Sequence, residues 1–437
     1  MSVPLDNLCH WVESMLPAPA IIYLFCPHGS KNISDLVWLN DYDVDTVWQF
    51  PTVIVHDQEP LDWELYRAPE QYLDLWKKFN LTSPIHQIIK NYNCNFNLNS
   101  IAAIQVGNTY DQAILIHSEK NSKDLEQYQS NEFICVHYWA HAIIARDWYR
   151  FGEYDTRLQS DTQPQTKFLI YCRDWSHRRE YRLKFLELLA QHGLDRVSQT
   201  SVMHVNSEDV HFSQHQFENT DFELDVPALI DQIPGNNFSS TVSADYNPND
   251  FVNCEISVVL ETVFDDSRIH LTEKTLRPIA CGHPFILAAG PGALEYVRSY
   301  GFKTFAPWID ESYDQEPNSL KRLEKIIQAM QQIQNLQGQE LVDFQTNTKQ
   351  IAEFNKKHFF SNEFFNTVQD ELKTNLDSAY RQAKKSRGKH YMELLKIIKK
   401  QKLSDQLQSR QMRSKFIRQL RQSGQDDQST PRRDPDV

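Results

Sequence analysis

Short apolar runs bounded by turn signals alternate along the chain with longer stretches of helical periodicity, which is the pattern of α/β units. In the first third, Ile21 to Phe25, Thr52 to His56 and Ala113 to Ile116 are predicted strands. An aromatic, acidic stretch from Trp63 to Phe79 lies between them. The pattern from Cys135 to Arg150 predicts one helix carrying His137 and His141 at i and i+4. Residues 155 to 166 are polar and close on Thr-Gln-Pro-Gln-Thr, the composition of a linker.

A second α/β section follows. Lys167 to Cys172 is a predicted strand and Glu180 to Gln191 an amphipathic helix closed by Gly193. Residues 205 to 250 are rich in Asn, Ser and Asp and predict no regular element. Beyond them come a strand from Glu255 to Leu260, a helix N-capped by Thr272 and running to Cys281, and a strand from Phe285 to Ala288. A strand, crossover helix and strand in that order imply a parallel sheet. Pro278 inside the helix is expected to shorten or kink it. Ser319 to Asp377 reads as almost entirely helical, Tyr391 to Leu420 continues as a basic amphipathic stretch, and the Gln-, Asp- and Pro-rich end predicts disorder.

Composition narrows the class. The 437 residues suffice for two or three domains, and 24 Phe, 18 Tyr and 9 Trp supply large cores, which excludes a small module, a fibrous repeat or wholesale disorder. Seven dispersed cysteines without a CxxC read as reduced thiols. The absence of a basic-then-apolar start and of a long apolar run predicts a cytoplasmic protein without a signal peptide or membrane span. The net charge of −13 hides an asymmetry: residues 1 to 380 carry 29 Lys+Arg against 52 Asp+Glu, and residues 381 to 421 carry 14 against 2.

The chemistry concentrates where predicted strands end. Glu261 closes one strand, a polar loop follows, and a helix opens on Thr272-Glu273-Lys274. The carboxyl end of a parallel strand facing a helix N-terminus is where α/β sheets bind phosphates, because exposed N–H groups and the helix dipole attract an anion. Lys274 adds a full positive charge there, and Glu273 can accept hydrogen bonds from a ribose diol. Glu273 and Arg277, at i and i+4, could equally form a surface pair. Arg173, Arg178, Arg179 and Arg182 cluster at the upstream strand-to-helix junction and suit a diphosphate clamp or a decorated helix surface. His56, Asp57 and Glu59 end another strand before Pro60, in position for either a general base or a solvated turn. His137 and His141 read as core or cleft-lining histidines, with a metal site as the weaker alternative, since no Glu stands between them at the zincin position.

The order Glu, about ten residues, Thr-Glu-Lys, helix and Gly-x-Pro resembles the donor motif of the α-1,3-fucosyltransferases, and Thr-Glu-Lys-Thr-x-Arg-Pro with Gly-His-Pro-Phe is closer still to phage and bacterial glycosyltransferase-like proteins. Phe168 to Phe185 resembles the first strand and helix of the same donor domain. Thr262 stands where the family has Asn, and the loop is about two residues longer. The resemblance implies a metal-independent, inverting glycosyltransferase of GT-B architecture, with two Rossmann-like domains at 1–155 (acceptor) and 160–312 (donor), a helical region at 313–380 and a basic extension at 381–437. It implies Glu59 as base with Asp57 as runner-up, and donor binding by Arg173, Arg182, Glu261, Thr272, Glu273, Lys274 and Arg277, of which Glu273 would hold the ribose and Lys274 and Arg182 the diphosphate. A nucleoside-diphosphate sugar would be the donor substrate, no cofactor being implied, and the acceptor a glycan, a lipid-linked glycan or a hydroxylated DNA base. The basic stretch 384–421 suits an anionic membrane or DNA. A nucleic-acid-binding accessory protein and a non-catalytic glycosyltransferase-like structural protein remain the alternatives.

Overall fold

The structure, a computed structural model, describes residues 2–18, 20–24, 52–63, 113–131, 133–159, 163–206, 209–235, 243–264 and 267–400, with side chains in the last helix described as far as 385. Outside these residues fall Phe25, the aromatic stretch beyond Trp63, parts of the 155–166 and 205–250 segments, and the basic tail from 401 onward.

The described chain is mixed α/β and holds two parallel four-stranded sheets. The first runs β1 (Ile21–Leu24), β2 (Thr52–His56), β3 (Ile114–His117) and β4 (Ile134–His137) in sequence order, with Val53 beside Ile114 and Ile114 beside Ile134. The second comprises β5 (Thr166–Cys172), β6 (Ser198–Val202), β7 (Cys254–Leu260) and β8 (Phe285–Ala288), in spatial order β6-β5-β7-β8. All seven residues of β7 are buried, so it reads as an unbroken apolar run with Glu255 and Ser257 the exceptions. The connection leaves β5 in one direction for β6 and returns on the other side for β7. That reversal makes the β5–β7 gap a topological switch point.

Helices α1 (Leu8–Ser14), α2 (Lys123–Ser130) and α3 (Ala140–Trp148) accompany the first sheet. With the second go α4 (Tyr181–Gln191), α5 (Pro248–Asn253), α6 (Glu273–Cys281) and α7 (Ala293–Ser299). Then come α8 (Ser319–Gln334), α9 (Gly338–Phe360) and the long α10 (Asn362–Lys400). Residues 338–400 return the chain to the first sheet. Arg146 on α3 donates to the terminal carbonyls of α9, at Phe359, Phe360 and Ser361, and so caps that helix. On α10, Asn375 Nδ2 donates to the His137 carbonyl at 2.9 Å, and the Tyr380 hydroxyl donates to Ala18 O at 3.0 Å.

Three sequence expectations change. Cys135 to Arg150 is not one helix, because Ile134–His137 pairs with β3 as a strand and the helix starts only at Ala140. Ile134 and Val136 alternate inward there, the period of a strand. His137 and His141 are therefore on different elements. Pro278 does not shorten α6, which runs a further turn to Cys281 before Gly282, at φ 69°, closes it in the left-handed conformation. Strand β6, Ser-Gln-Thr-Ser-Val, had no predicted counterpart: it lies at the end of the sheet and buries only Ser201 and Val202. Among the described residues no helix is long and apolar enough to cross a membrane.

Candidate functional site

The site is built around the carboxyl ends of β5 and β7. Glu261, the first residue past β7, is fully buried and accepts from the N-terminal turn of α6 with both oxygens. Thr272 N and Thr275 N reach Oε1 at 3.0 and 3.2 Å, the Thr275 hydroxyl reaches Oε1 at 2.5 Å, and the Thr272 hydroxyl reaches Oε2 at 2.7 Å. A carboxylate is the natural occupant, since it takes up N–H groups that the helix leaves unpaired and complements the helix dipole. Glu261 therefore positions α6, with its acceptor capacity spent on the protein. Thr272 caps the helix as expected, its hydroxyl accepting from Lys274 N at 3.3 Å.

Arg182 is buried at the switch point. It donates to the carbonyls of Asp174, of Leu260 at 2.7 Å and of Glu261 at 2.9 Å, and thereby ties the loop after β5 to the end of β7. Its terminal nitrogens are thus committed to backbone. Nε has no hydrogen-bond partner among the described residues, and the charge remains. Arg277 is not half of a surface pair with Glu273. It is buried over the rings of Tyr149 and Tyr171, and donates from Nε to the Tyr149 hydroxyl at 3.2 Å and from a terminal nitrogen to Ser243 O at 3.1 Å. Burial opposes its charge, but Tyr149 and Glu273 outweigh burial and hold its pKa above the ordinary guanidinium value.

These side chains enclose a cavity of about 110 Å³ lined on one side by β5 and β7 and on the other by α6. Five cations line it, Arg173, Arg179, Arg182, Lys274 and Arg277, against one carboxylate, Asp174, which pairs with Arg179 at 2.8 Å. Phe251 and Pro278 contribute apolar wall. In a body where acids outnumber bases almost two to one, this local excess of cations is the reverse of the average.

Beside the cavity, Glu273 is buried and pairs with Lys274 Nζ at 2.9 Å, while its other oxygen lies 3.7 Å from His141 Nδ1. Burial alone would raise the Glu273 pKa, but Lys274, His141 and Arg277 together hold it well below the usual carboxylate range. His141, on the first turn of α3, donates from Nε2 to the carbonyl of Gln58 at 2.9 Å. It thereby joins α6 to the loop after β2, where Glu59 is half-buried and Asp57 is buried with the Tyr138 hydroxyl donating to it. The two halves are also strapped together through the loop before α6. Ile269 and Lys120 exchange backbone hydrogen bonds at 2.9 Å, Arg268 is buried against Glu119 and Asp124, and Trp139 Nε1 donates to Leu271 O at 2.9 Å.

The structure thus brings Lys274, Arg277, Arg182 and Arg173 to one cavity, with Glu273 beside it. Asp57 and Glu59 come from a separate strand and connect to it through His141. Sequence reasoning left out Tyr149, Ser243 and His270. Tyr149 and Ser243 had no signal beyond polarity, whereas His270 stood two residues before Thr272 and could have been found from that position. Fold and site together define an α/β protein with a cationic cavity at a sheet switch point. No family model matches the chain, and no curated protein matches it either.

Proposed function

We propose that the chain is a glycosyltransferase of GT-B architecture that transfers a sugar from a nucleoside-diphosphate sugar to a hydroxyl acceptor with inversion. The observation that carries this reading is the cavity at the β5–β7 switch point, lined by Arg173, Arg179, Arg182, Lys274 and Arg277 with Asp174 as its one carboxylate. Its enclosed volume suits a diphosphate and is smaller than the roughly 300–1,000 Å³ of sites that bury a whole small molecule, so nucleoside and sugar extend beyond it.

In this reading the Glu59 carboxylate takes the proton of the acceptor hydroxyl as its oxygen attacks the anomeric carbon. The bond from that carbon to the β-phosphate oxygen breaks, and the diphosphate leaves with the electron pair. Lys274 and Arg277 neutralise the charge that develops, within hydrogen bonds already in place before reaction. Arg182 contributes fixed charge, Glu261 holds α6 in position, and Glu273 receives a donor hydroxyl. Asp57 is the second candidate base, but its acceptance from Tyr138 in a buried setting fits a structural role better.

Binding of GDP-, UDP-, ADP-, CMP- and dTDP-sugars by calorimetry tests the proposal. One donor should bind, and Lys274→Ala should raise its Kd roughly 10- to 100-fold, the value of a charge-assisted hydrogen bond. Lys385→Ala, an exposed lysine on α10, should leave it unchanged. An equal Kd for Lys274→Ala and wild type would remove the diphosphate assignment. Silence across all donors would favour a non-catalytic protein with this fold, and binding of DNA with no sugar nucleotide bound would favour the accessory protein.

A further inference from the structure

Asp174 is the one carboxylate that lines the cavity at the β5–β7 switch point. It stands in the loop after β5, with its side chain 34 % exposed. Burial alone would raise its pKa, but Arg179, the Ser176 amide and Arg182 together hold it below the ordinary aspartate value. An ionised carboxylate only accepts, at about four lone-pair positions. The Ser176 amide fills one on Oδ1 at 3.0 Å and Arg179 one on Oδ2 at 2.8 Å, and the Ser176 hydroxyl adds a third contact. Acceptor capacity is therefore left over in a cavity whose other charges are all cations.

Few groups can meet that capacity. A phosphate is repelled by the carboxylate, and a free cation by Arg173, Arg179 and Arg182. A sugar hydroxyl is repelled by neither, and its hydrogen bond gains strength from a charged acceptor. Because Arg179, 2.8 Å away, is one of the cations of the diphosphate cavity, the hydroxyl that reaches Asp174 belongs to a ring adjoining the diphosphate. A nucleotide sugar has two such rings, the ribose and the transferred sugar. On α6, Glu273 leads through His141 to the carbonyl of Gln58, and so to the loop that carries the proposed base. The transferred sugar belongs on that side. Asp174 is on the β5 side of the cavity, which leaves it the ribose. Glu273, to which the resemblance gives the ribose, is buried beside the cavity with one oxygen on Lys274 and the other 3.7 Å from His141.

We infer that Asp174 accepts a ribose hydroxyl of the donor and thereby selects a ribonucleotide over its deoxy counterpart. This rests on the glycosyltransferase reading and deepens it by fixing the nucleoside half of the donor. The loop after β5 reads the ribose, and the cations around it hold the phosphates.

Calorimetry on the full chain tests the inference. The probes are inorganic diphosphate, the 5′-diphosphates of adenosine, guanosine, uridine and cytidine, and the 2′- and 3′-deoxy forms of whichever nucleotide binds tightest. Wild type should lose about tenfold in affinity when one of the two ribose hydroxyls is removed, the value of a hydrogen bond to a charged acceptor. Asp174→Asn should erase that preference, since one oxygen still meets the Ser176 amide while the NH₂ no longer accepts. Inorganic diphosphate should bind this variant no more weakly than wild type, because a negative charge has left the cavity. Equal Kd for the ribose and both deoxy forms in wild type would overturn the inference, and so would a preference that Asp174→Asn retains. Parallel weakening of inorganic diphosphate and nucleoside diphosphate in the variant would also overturn it, making Asp174 a support for the loop and for Arg179. Should the Asn variant not fold, Asp174→Ser is read by the same criteria. If wild type binds neither inorganic diphosphate nor any nucleoside diphosphate, the glycosyltransferase reading fails and this inference with it. Binding of both without regard to the ribose hydroxyls would leave that reading standing and remove this inference alone.

Discussion

Replacing Glu261 by alanine is expected to destabilise the protein by about 4 kcal/mol, because two backbone amides fixed at the start of α6 lose their acceptor and each orphaned, buried N–H costs about 1–3 kcal/mol. The Thr272 and Thr275 hydroxyls lose an acceptor as well, but they can rotate, so the two amides dominate. The dipole of α6 also loses its counter-charge. Glu261→Gln should fall between wild type and alanine, since one carbonyl oxygen still accepts while the amide NH₂ meets donors. Thr275→Val, which removes one hydroxyl, should cost about 1 kcal/mol. Urea midpoints at pH 7, followed by tryptophan fluorescence and far-ultraviolet circular dichroism together, measure all three. A loss under about 1 kcal/mol for alanine would mean that packing beneath α6, and not the carboxylate, holds its N-terminus. In that case the placement of Lys274 at the start of α6 would not depend on Glu261.

That prediction also marks how far the sequence reads on its own. The elements β7, α6 and β8 were legible to within a residue, because an all-buried parallel strand is a continuous apolar run and a Thr cap with a following Gly delimits a helix. Strand β4 was not, because Ile-Cys-Val-His merges into the helix-forming run beyond Trp139 and four residues are too few to display a period. Strand β6 carries too little apolar surface to signal itself.

Site residues followed the same logic. Types at strand ends located the cavity, but partners were invisible. Arg182 donates to carbonyls about eighty residues away, and Arg277 lies over Tyr149, 128 positions upstream, so neither the clamp nor the surface-pair expectation could anticipate what those guanidiniums hold. Linking the loop after β2 to α6 required His141, whose sequence context suggested only a helix face. Of the cations that line the cavity, Arg182 and Arg277 are held by backbone carbonyls and Tyr149, and Arg179 and Lys274 by Asp174 and Glu273, so their field is oriented before any ligand arrives.

Acidification supplies the other large effect. Burial lowers His56 to about 4, His117 to about 3 (with His137 adding to the effect) and His283 to about 4. An unfolded histidine titrates near 6.5, so between that value and the folded pKa the unfolded chain binds more protons and stability falls as pH drops. The contribution is complete above about pH 6.5 and is lost progressively down to pH 4 to 3. Each of the three removes up to about 1.4 kcal/mol per pH unit within that window, and its full displacement of about 2.5 to 3.5 pH units amounts to roughly 3–5 kcal/mol. His283 shows why the neutral form is preferred: it is buried, Nε2 donates to Cys254 O at 2.9 Å and Nδ1 meets the Ser257 hydroxyl at 2.8 Å, so both nitrogens are satisfied in the neutral ring. Opposing this are Glu119 and Asp314, whose pKa values burial raises despite Arg268 and the Leu294 amide respectively; they favour the folded state as pH falls through them. The histidines outnumber them, and the unfolding free energy read from the denaturant transition should decline steeply between pH 6.5 and 5, at about 2–4 kcal/mol per pH unit. His283→Asn, which retains a donor and an acceptor, should flatten that slope by about one proton's worth. A midpoint constant from pH 7 to 5 would show that the buried imidazoles contribute no more than the two buried carboxylates offset.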